Sequence, residues 1–363
     1  MSESTTNSDH VVVAMSGGVD SSVAAALLKS EGYKVTGMMM RLWSESGREA
    51  DNRCCTPDAM AQARRVAAIL GIPFYVIDAK QPFQEIVLKY FLDGYARGIT
   101  PNPCLACNRQ IRWEFLLQQA LDSGAQYLAT GHYVRLRQDE SGRYQIWQAT
   151  DPAKDQSYVL HVLSQNKLAH AKFPIGEFPK TEIRHLASQY GLPVANRPDS
   201  QDLCFLGEED YRDFLRRNLP AVVQSGPILN RKGEVIGEHQ GLSFYTIGQR
   251  KGLGIASPEP LYVIEKVTAD NSLVVGRLEE LGKKECTCAP FNWIAGAPPA
   301  QNFRARVKIR YTASHAWASL TTLDNDQVQI QFDEPLRDIT PGQAAVAYDG
   351  VVCLGGGIIQ QAK

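Results

Sequence analysis

The chain has 363 residues, 44% hydrophobic and 21% charged, the composition of a cored globular protein of two or three domains and not of a disordered or fibrous chain. Lys plus Arg total 38 against 39 Asp plus Glu, for a net charge of −1, which excludes a uniformly basic nucleic-acid coat but leaves room for a local basic face. No apolar run is long enough to span a membrane. Residues 1–10 read as a polar, flexible leader, so a cytoplasmic protein with no membrane partner is expected, and its thiols should stay reduced.

In chain order, the run VVVA at 11–14 reads as a strand. A Gly-rich turn follows, then an Ala/Leu-rich helix over 20–30 with Gly32 at its end. A strand over 34–40, a helix over 57–70 stopped by Gly71, a strand over 73–78, helices over 82–95 and 108–121, and a strand over 126–132 come next. Strands alternating with helices predict a parallel α/β sheet. Beyond Gly207 the texture changes to one helix over 208–218 and short runs broken by turns, and from 285 onward to strands and turns only. The expected architecture is therefore an α/β domain with a parallel sheet over 11–207, a small mixed domain over 208–284, and a C-terminal β-barrel over 285–363.

The first βα turn reads Ser16-Gly17-Gly18-Val19-Asp20-Ser21-Ser22. Two glycines admit an anion close to the backbone, three hydroxyls add donors, and the following helix directs its positive end to the same place. No Gly-Lys-Ser/Thr follows, so the turn is not a Walker loop. It suits a leaving pyrophosphate better than the transfer of a γ-phosphoryl group. A tight turn without a ligand is the alternative.

Eight cysteines are too few for a disulfide scaffold. Cys104 and Cys107 form a CxxC in TPNPCLACNR, and Cys107 is expected just ahead of a helix start, where the dipole would lower a thiol pKa. A buried, inert pair or half of a zinc site would carry the same spacing. Cys204 in SQDLCFLGE, taken alone, reads as a core residue, as do Cys353 and the Cys286-x-Cys288 pair; Cys54 and Cys55 lie in a polar loop and are given no role. Along 303–310, Phe303, Ala305, Val307 and Ile309 alternate with Arg304, Arg306, Lys308 and Arg310. That pattern puts four cations on one strand face, either a phosphate track or a solvated exterior.

Several strings occur together and in order: SGGVDSS, TPNPxxxCN, ATGHY (129–133), KDQSY (154–158), GEHQGL (237–242), TIGQRKGLG (246–254) and CLGGGII (353–359). The first resembles the pyrophosphate (PP) loop of the ATP pyrophosphatases, and the ordered set, from Val11 to about residue 360, resembles the tRNA-specific 2-thiouridylases. The resemblance implies ATP with Mg²⁺ and a tRNA bearing a wobble uridine. It also implies a sulfur-relay donor protein or sulfide source. In the implied reaction the uridine C2 oxygen is adenylated, pyrophosphate is released, and sulfur replaces the oxygen.

The same resemblance places ATP at Ala14, Met15, Ser16, Gly17, Gly18, Val19, Asp20, Ser21, Met40 and Gly131, with Asp20 positioning ATP and Mg²⁺. It places the target base at Asn102, Pro103 and Cys104. It implies tRNA contacts at His132, Lys154, Asp155, Gln156, Arg310, Tyr311 and Gln343. Cys107 is implied as the nucleophile and Cys204 as the persulfide carrier, ending as a Cys107–Cys204 disulfide. The better-known members carry Asp where this chain has Cys104, which opens a second mechanism: a 4Fe–4S cluster on Cys104, Cys107 and Cys204. Another ATP pyrophosphatase, a ligase with a nitrogen nucleophile, needs no such cysteine pair. A tRNA-binding or iron–sulfur sensor module would leave the SGGVDSS loop without a purpose.

Overall fold

The computed structural model describes residues 9–45, 47, 56–198, 203–207, 209–324 and 326–363. Most of the leader, Cys54 and Cys55 lie outside the described residues.

The first sheet has the strand order β3-β2-β1-β4-β7. Its strands are β1 (His10–Ala14), β2 (Lys34–Arg41), β3 (Phe74–Asp78), β4 (Tyr127–Thr130) and β7 (Ala171–Lys172), and every pairing is parallel. Val11, Val12 and Val13 are fully buried, because a central parallel strand is covered on both faces and reads as a continuous apolar run. Helices α1 (Val19–Ser30) and α2 (Pro57–Leu70) bury their alanine-rich faces against it. Thr56 caps the α2 amide of Ala59, and Gly71 closes that helix in the left-handed conformation. The chain runs from β1 to β3 on one side and resumes at β4 on the other. The crevice outside the carboxyl ends of β1 and β4 is therefore the switch point where such sheets bind ligands.

Two expectations shift. The helix expected over 108–121 runs over 103–122, with Pro103 in its first position and the Asn102 side chain accepting from the Cys104 amide at 3.2 Å. Cys104, and not Cys107, thus occupies the first turn, and the dipole effect expected for Cys107 weakens because it fades within a turn. The stretch Cys107–Leu116 is wound as a π-helix, a form found at functional sites. The second shift is a hairpin inside the 11–207 segment, β5 (Val134–Gln138) and β6 (Tyr144–Gln148), which leaves the parallel sheet and pairs with the C-terminal strands.

Those C-terminal strands are β12 (Lys283–Trp293), β13 (Asn302–Lys308), β14 (Ala316–Thr322), β15 (Val328–Leu336), β16 (Ala344–Asp349) and β17 (Val352–Ala362). They close into a six-stranded antiparallel barrel through the β12–β17 pairing, and β6 extends it from β17. Ala305 and Val307 point into its core with Cys286 and Cys288, as period-two alternation requires. Cys353 is equally buried, and burial pushes its thiol well up. Between sheet and barrel lies a small four-stranded sheet: β8 (Gly226–Leu229), β9 (Val235–His239), β10 (Tyr262–Val267) and β11 (Ser272–Gly276). No described helix is long and apolar enough to cross a membrane.

The parts are tied by hydrogen bonds between segments remote in sequence. Tyr158 donates its hydroxyl proton to the Ala344 carbonyl at 2.9 Å, and Gln343 donates to the Thr100 carbonyl at 2.9 Å. His161 is fully buried at this seam, with its ring against Gly356. Its Nδ1–H donates to the Tyr158 carbonyl at 2.7 Å. Burial, partly offset by that bond, pushes its pKa down to about 4 from 6.5. The unfolded chain takes up a proton here that the folded chain refuses. The stabilisation is complete above pH 6.5 and is lost as pH falls toward 4, by up to about 3 kcal/mol. Urea denaturation between pH 7 and 4 should show this loss, and His161→Asn should flatten the slope by close to one proton.

Candidate active site

After β1 the chain turns through Ser16, Gly17 and Gly18 into α1. Gly17 has φ +74°, and a Cβ there would lie 2.4 Å from the Ala59 carbonyl oxygen, so only glycine fits. The loop is internally braced: Ser21 Oγ accepts from the Ser16 amide at 3.2 Å, and Ser22 donates its hydroxyl to the Gly18 carbonyl at 2.8 Å. Ser22 is fully buried; of the three hydroxyls, those of Ser16 and Ser21 remain on the lining of a cavity of about 150 Å³. Ala14, Met15, Met40, Thr130 and Gly131 line the same cavity. Gly131 lets β4 approach closely, since a Cβ there would meet the Ser21 amide nitrogen at 2.7 Å. Hydroxyls, a helix N-terminus and close backbone suit a nucleotide's phosphates.

Asp20 is the one acid among the described residues lining this cavity. Its carboxylate accepts from Lys180 Nζ at 2.7 and 2.9 Å and from the Tyr133 hydroxyl at 2.6 Å. Lys180 opens the helix Lys180–Gln189 and is nearly buried. The lysine missing from the loop's own sequence therefore arrives from 160 residues downstream, behind Asp20. Arg197 also reaches the loop, donating to the Gly17 carbonyl at 3.3 Å and pairing with Asp58 at 3.1 Å. Nothing in the local sequence of either cation signals this role.

A second cavity of about 900 Å³ lies beside the first. Asn102, Pro103, Cys104, Cys107 and Cys204 all line it. Cys104 is exposed, while Cys107 and Cys204 are half-buried. Both of the latter pack on one aromatic core, in which Phe91 meets Tyr95 at 4.9 Å, Phe205 at 5.2 Å and Phe214 at 6.2 Å between ring centres. Phe205 anchors the short segment that carries Cys204. Tyr95 and Tyr211 stack at 5.7 Å and form an aromatic wall of the cavity.

No disulfide joins the described cysteines. Among the described residues, no group of three His, Cys, Asp or Glu side chains is arranged to hold a metal ion. The iron–sulfur expectation at Cys104, Cys107 and Cys204 is not supported: they share a cavity without forming a ligand set.

Among the described residues, three line both cavities: Arg112, His132 and Gln156. His132 is buried; its ring meets Thr130 Oγ1 through Nδ1 at 2.7 Å and Arg112 Nη1 through Nε2 at 3.1 Å. A guanidinium only donates, so Nε2 accepts and the proton sits on Nδ1, donated to Thr130. Burial, and then the Arg112 charge, hold His132 neutral, well below the usual histidine range. Gln156 Oε1 accepts from the Tyr133 amide at 2.9 Å. In sequence Arg112 is an unmarked cation inside the helix, with no local pattern that signals this position.

The remaining expected tRNA contacts scatter. Tyr311 lines the larger cavity, and burial raises its phenol pKa. Lys154 is half-buried in the turn before Asp155. Asp155 is turned inward: it is 6% exposed and accepts from the Ala149 amide at 3.0 Å and the Ser157 hydroxyl at 2.7 Å. This carboxylate holds the turn that follows β6. Gln343 donates through Nε2 to the Thr100 carbonyl. Arg310 pairs with Asp338 at 3.4 Å and donates to the Ile247 carbonyl at 3.1 Å, pinning the barrel to the central domain. Arg304 forms a two-pronged pair with Asp333 at 2.8 and 2.7 Å, and Arg306 donates to the Gly350 carbonyl. The expected four-cation track is thus largely engaged within the protein.

The Asp20–Lys180 pair predicts a stability effect as well as a nucleotide effect. Removing one partner strands the other in a poorly solvated place. Asp20→Asn and Lys180→Met should each cost on the order of 1–3 kcal/mol, and the double variant less than the sum. Urea titrations of the four proteins measure the coupling.

Residues 9–208 match the family described as "tRNA methyl transferase HUP domain", residues 212–277 the "tRNA methyl transferase PRC-barrel domain", and residues 283–359 the "Aminomethyltransferase beta-barrel domain". The tRNA-specific 2-thiouridylase MnmA of Chloroflexus aggregans is 46% identical over 351 residues, covering 96% of this chain and 98% of that protein. Its namesake in Symbiobacterium thermophilum is 46% identical, covering 97% and 92% respectively, and that of Magnetococcus marinus 45% identical, covering 98% and 99%. The domain descriptions are worded for methyl transfer and the full-length relatives for 2-thiolation; identity sustained across all three domains is the more specific. The chain belongs to the tRNA-specific 2-thiouridylase family.

Proposed function

We propose that this protein uses ATP to replace the C2 oxygen of the wobble uridine of tRNA with sulfur. The observation that carries this reading is the pair of adjoining cavities, one at the pyrophosphate-type loop and one lined by Cys107 and Cys204, with three residues common to both walls.

The chemistry needs both cavities in turn. The uridine C2 oxygen attacks the α-phosphorus of ATP; the new O–P bond forms as the bond to pyrophosphate breaks, and the N3 proton passes to water. Asp20 and Lys180 fix the loop that faces the leaving pyrophosphate, whose charge Mg²⁺ bound with the nucleotide would neutralise. The adenylated base lies in the larger cavity against the Tyr95–Tyr211 wall, since unpaired bases are commonly held by aromatic stacking. The terminal sulfur of a Cys204 persulfide, loaded by a donor protein or sulfide source, attacks C2, and AMP leaves. The Cys107 thiolate then attacks Cys204 Sγ. A Cys107–Cys204 disulfide forms, the sulfur stays on the base, and an external thiol returns two electrons. A reducing cytoplasm suits this cycle.

Pyrophosphate release that requires tRNA, followed by mass spectrometry of the digested tRNA for 2-thiouridine, tests the reading. Cys107→Ser and Cys204→Ser should abolish thiouridine formation while leaving tRNA-dependent pyrophosphate release within about threefold of wild type, because neither sulfur acts in adenylation. Release without tRNA, together with a nitrogen-containing product, would point to a ligase instead.

A further inference from the structure

We propose that Arg112 is a catalytic residue of the adenylation step, contacting the α-phosphate as the uridine oxygen attacks it. This inference rests on the function proposed above and adds a group to it. Both steps share one bond, between the C2 oxygen and the α-phosphorus: it forms in the first step, and its C2–O neighbour breaks in the second. A group that serves this linkage must reach both cavities. Arg112, His132 and Gln156 meet that condition.

Only one of the three carries charge. His132 is neutral, its Nδ1–H on Thr130 and its Nε2 accepting from Arg112. Gln156 is an uncharged amide whose oxygen is on the Tyr133 backbone. Arg112 is half-buried, which strengthens its field over that of a solvated cation. Negative charge grows on the non-bridging oxygens of the α-phosphorus during attack, and AMP leaves with it. A fixed guanidinium with five N–H donors answers both events. The Thr130–His132 pair holds Nη1 of the fork, and Arg112 lines both cavities, so the guanidinium stands at their common wall.

The test measures tRNA-dependent pyrophosphate release by wild type, Arg112→Gln and Arg112→Lys at varied ATP and tRNA, with thermal melts to confirm folding. In Arg112→Gln, kcat should fall about 100-fold or more, with KM for ATP and for tRNA within about threefold of wild type. Arg112→Lys should recover part of the loss, because an ammonium keeps the charge but not the fork. A wild-type kcat in Arg112→Gln overturns the proposal, as does a loss confined to either KM, which would make Arg112 a binding residue. If Arg112→Gln does not fold, Arg112→Lys decides by the same readout: a kcat lowered about tenfold at unchanged KM supports the role, and a wild-type kcat overturns it. Absence of tRNA-dependent release in the wild type would defeat the functional reading itself, and this proposal with it, whereas wild-type release with an unaffected variant defeats this proposal alone.

Discussion

The close approach of β4 to the first turn of α1 is the constraint on which the site depends. Gly131 permits it, because any side chain there would press into the Asp20–Ser21 backbone. Once Thr130 and Gly131 are set against the loop, His132 is carried to the boundary of the nucleotide cavity, and its ring fixes Arg112 on the neighbouring π-helical turn. That turn belongs to the helix that bears Cys104 and Cys107. A single backbone contact at the switch point of the parallel sheet therefore sets the position of the phosphate loop relative to the sulfur-bearing helix.

The other side of the larger cavity is supplied by the rest of the chain. The segment carrying Cys204 is held by Phe205 and Leu206 in an apolar cluster that continues through Phe214 into the central domain, with Val263, Leu273 and Val275. The barrel is braced to the same region by Tyr158, Gln343 and Arg310, and the β5–β6 hairpin continues the barrel's sheet into the first segment. The central domain and barrel thus act on the cavity by buttressing its walls, since Arg310 and Gln343 each donate to a backbone carbonyl in another part of the chain. Tyr311, next to Arg310, does line the cavity, so one short stretch both braces the domains and closes the site.

What could be read from the sequence follows the range of the interactions involved. The parallel sheet, the phosphate loop and the alternation on β13 are local patterns of apolar residues, glycines and hydroxyls, and these were legible. The hairpin over 134–148 was not, because its partner strand, β17, lies some 200 residues away and its composition does not distinguish one sheet from another. The start of the cysteine helix was misplaced because Pro101 and Pro103 suggest extended chain, whereas Pro103 sits at the first helical position, where its missing amide costs nothing. Lys180 and Arg197 were invisible for the same reason as the hairpin: ordinary cations become site residues only when folding sets them on Asp20 and Gly17. Asp155 shows the converse, a motif carboxylate whose partners lie inside the protein.

The neutral histidine at the junction also determines where charge sits. An imidazolium beside Arg112 would place a buried positive charge 3.1 Å from a half-buried one. Desolvation and mutual repulsion both oppose that state, and the Thr130 hydroxyl keeps the Nδ1 proton in place without adding charge. Of the two groups in contact, the guanidinium of Arg112 is therefore the one that carries charge. The thiols of Cys104, Cys107 and Cys204 line only the larger of the two cavities. A site arranged in this way separates its two tasks in space: the cation stands at the wall common to both cavities, while the sulfurs line the larger one alone.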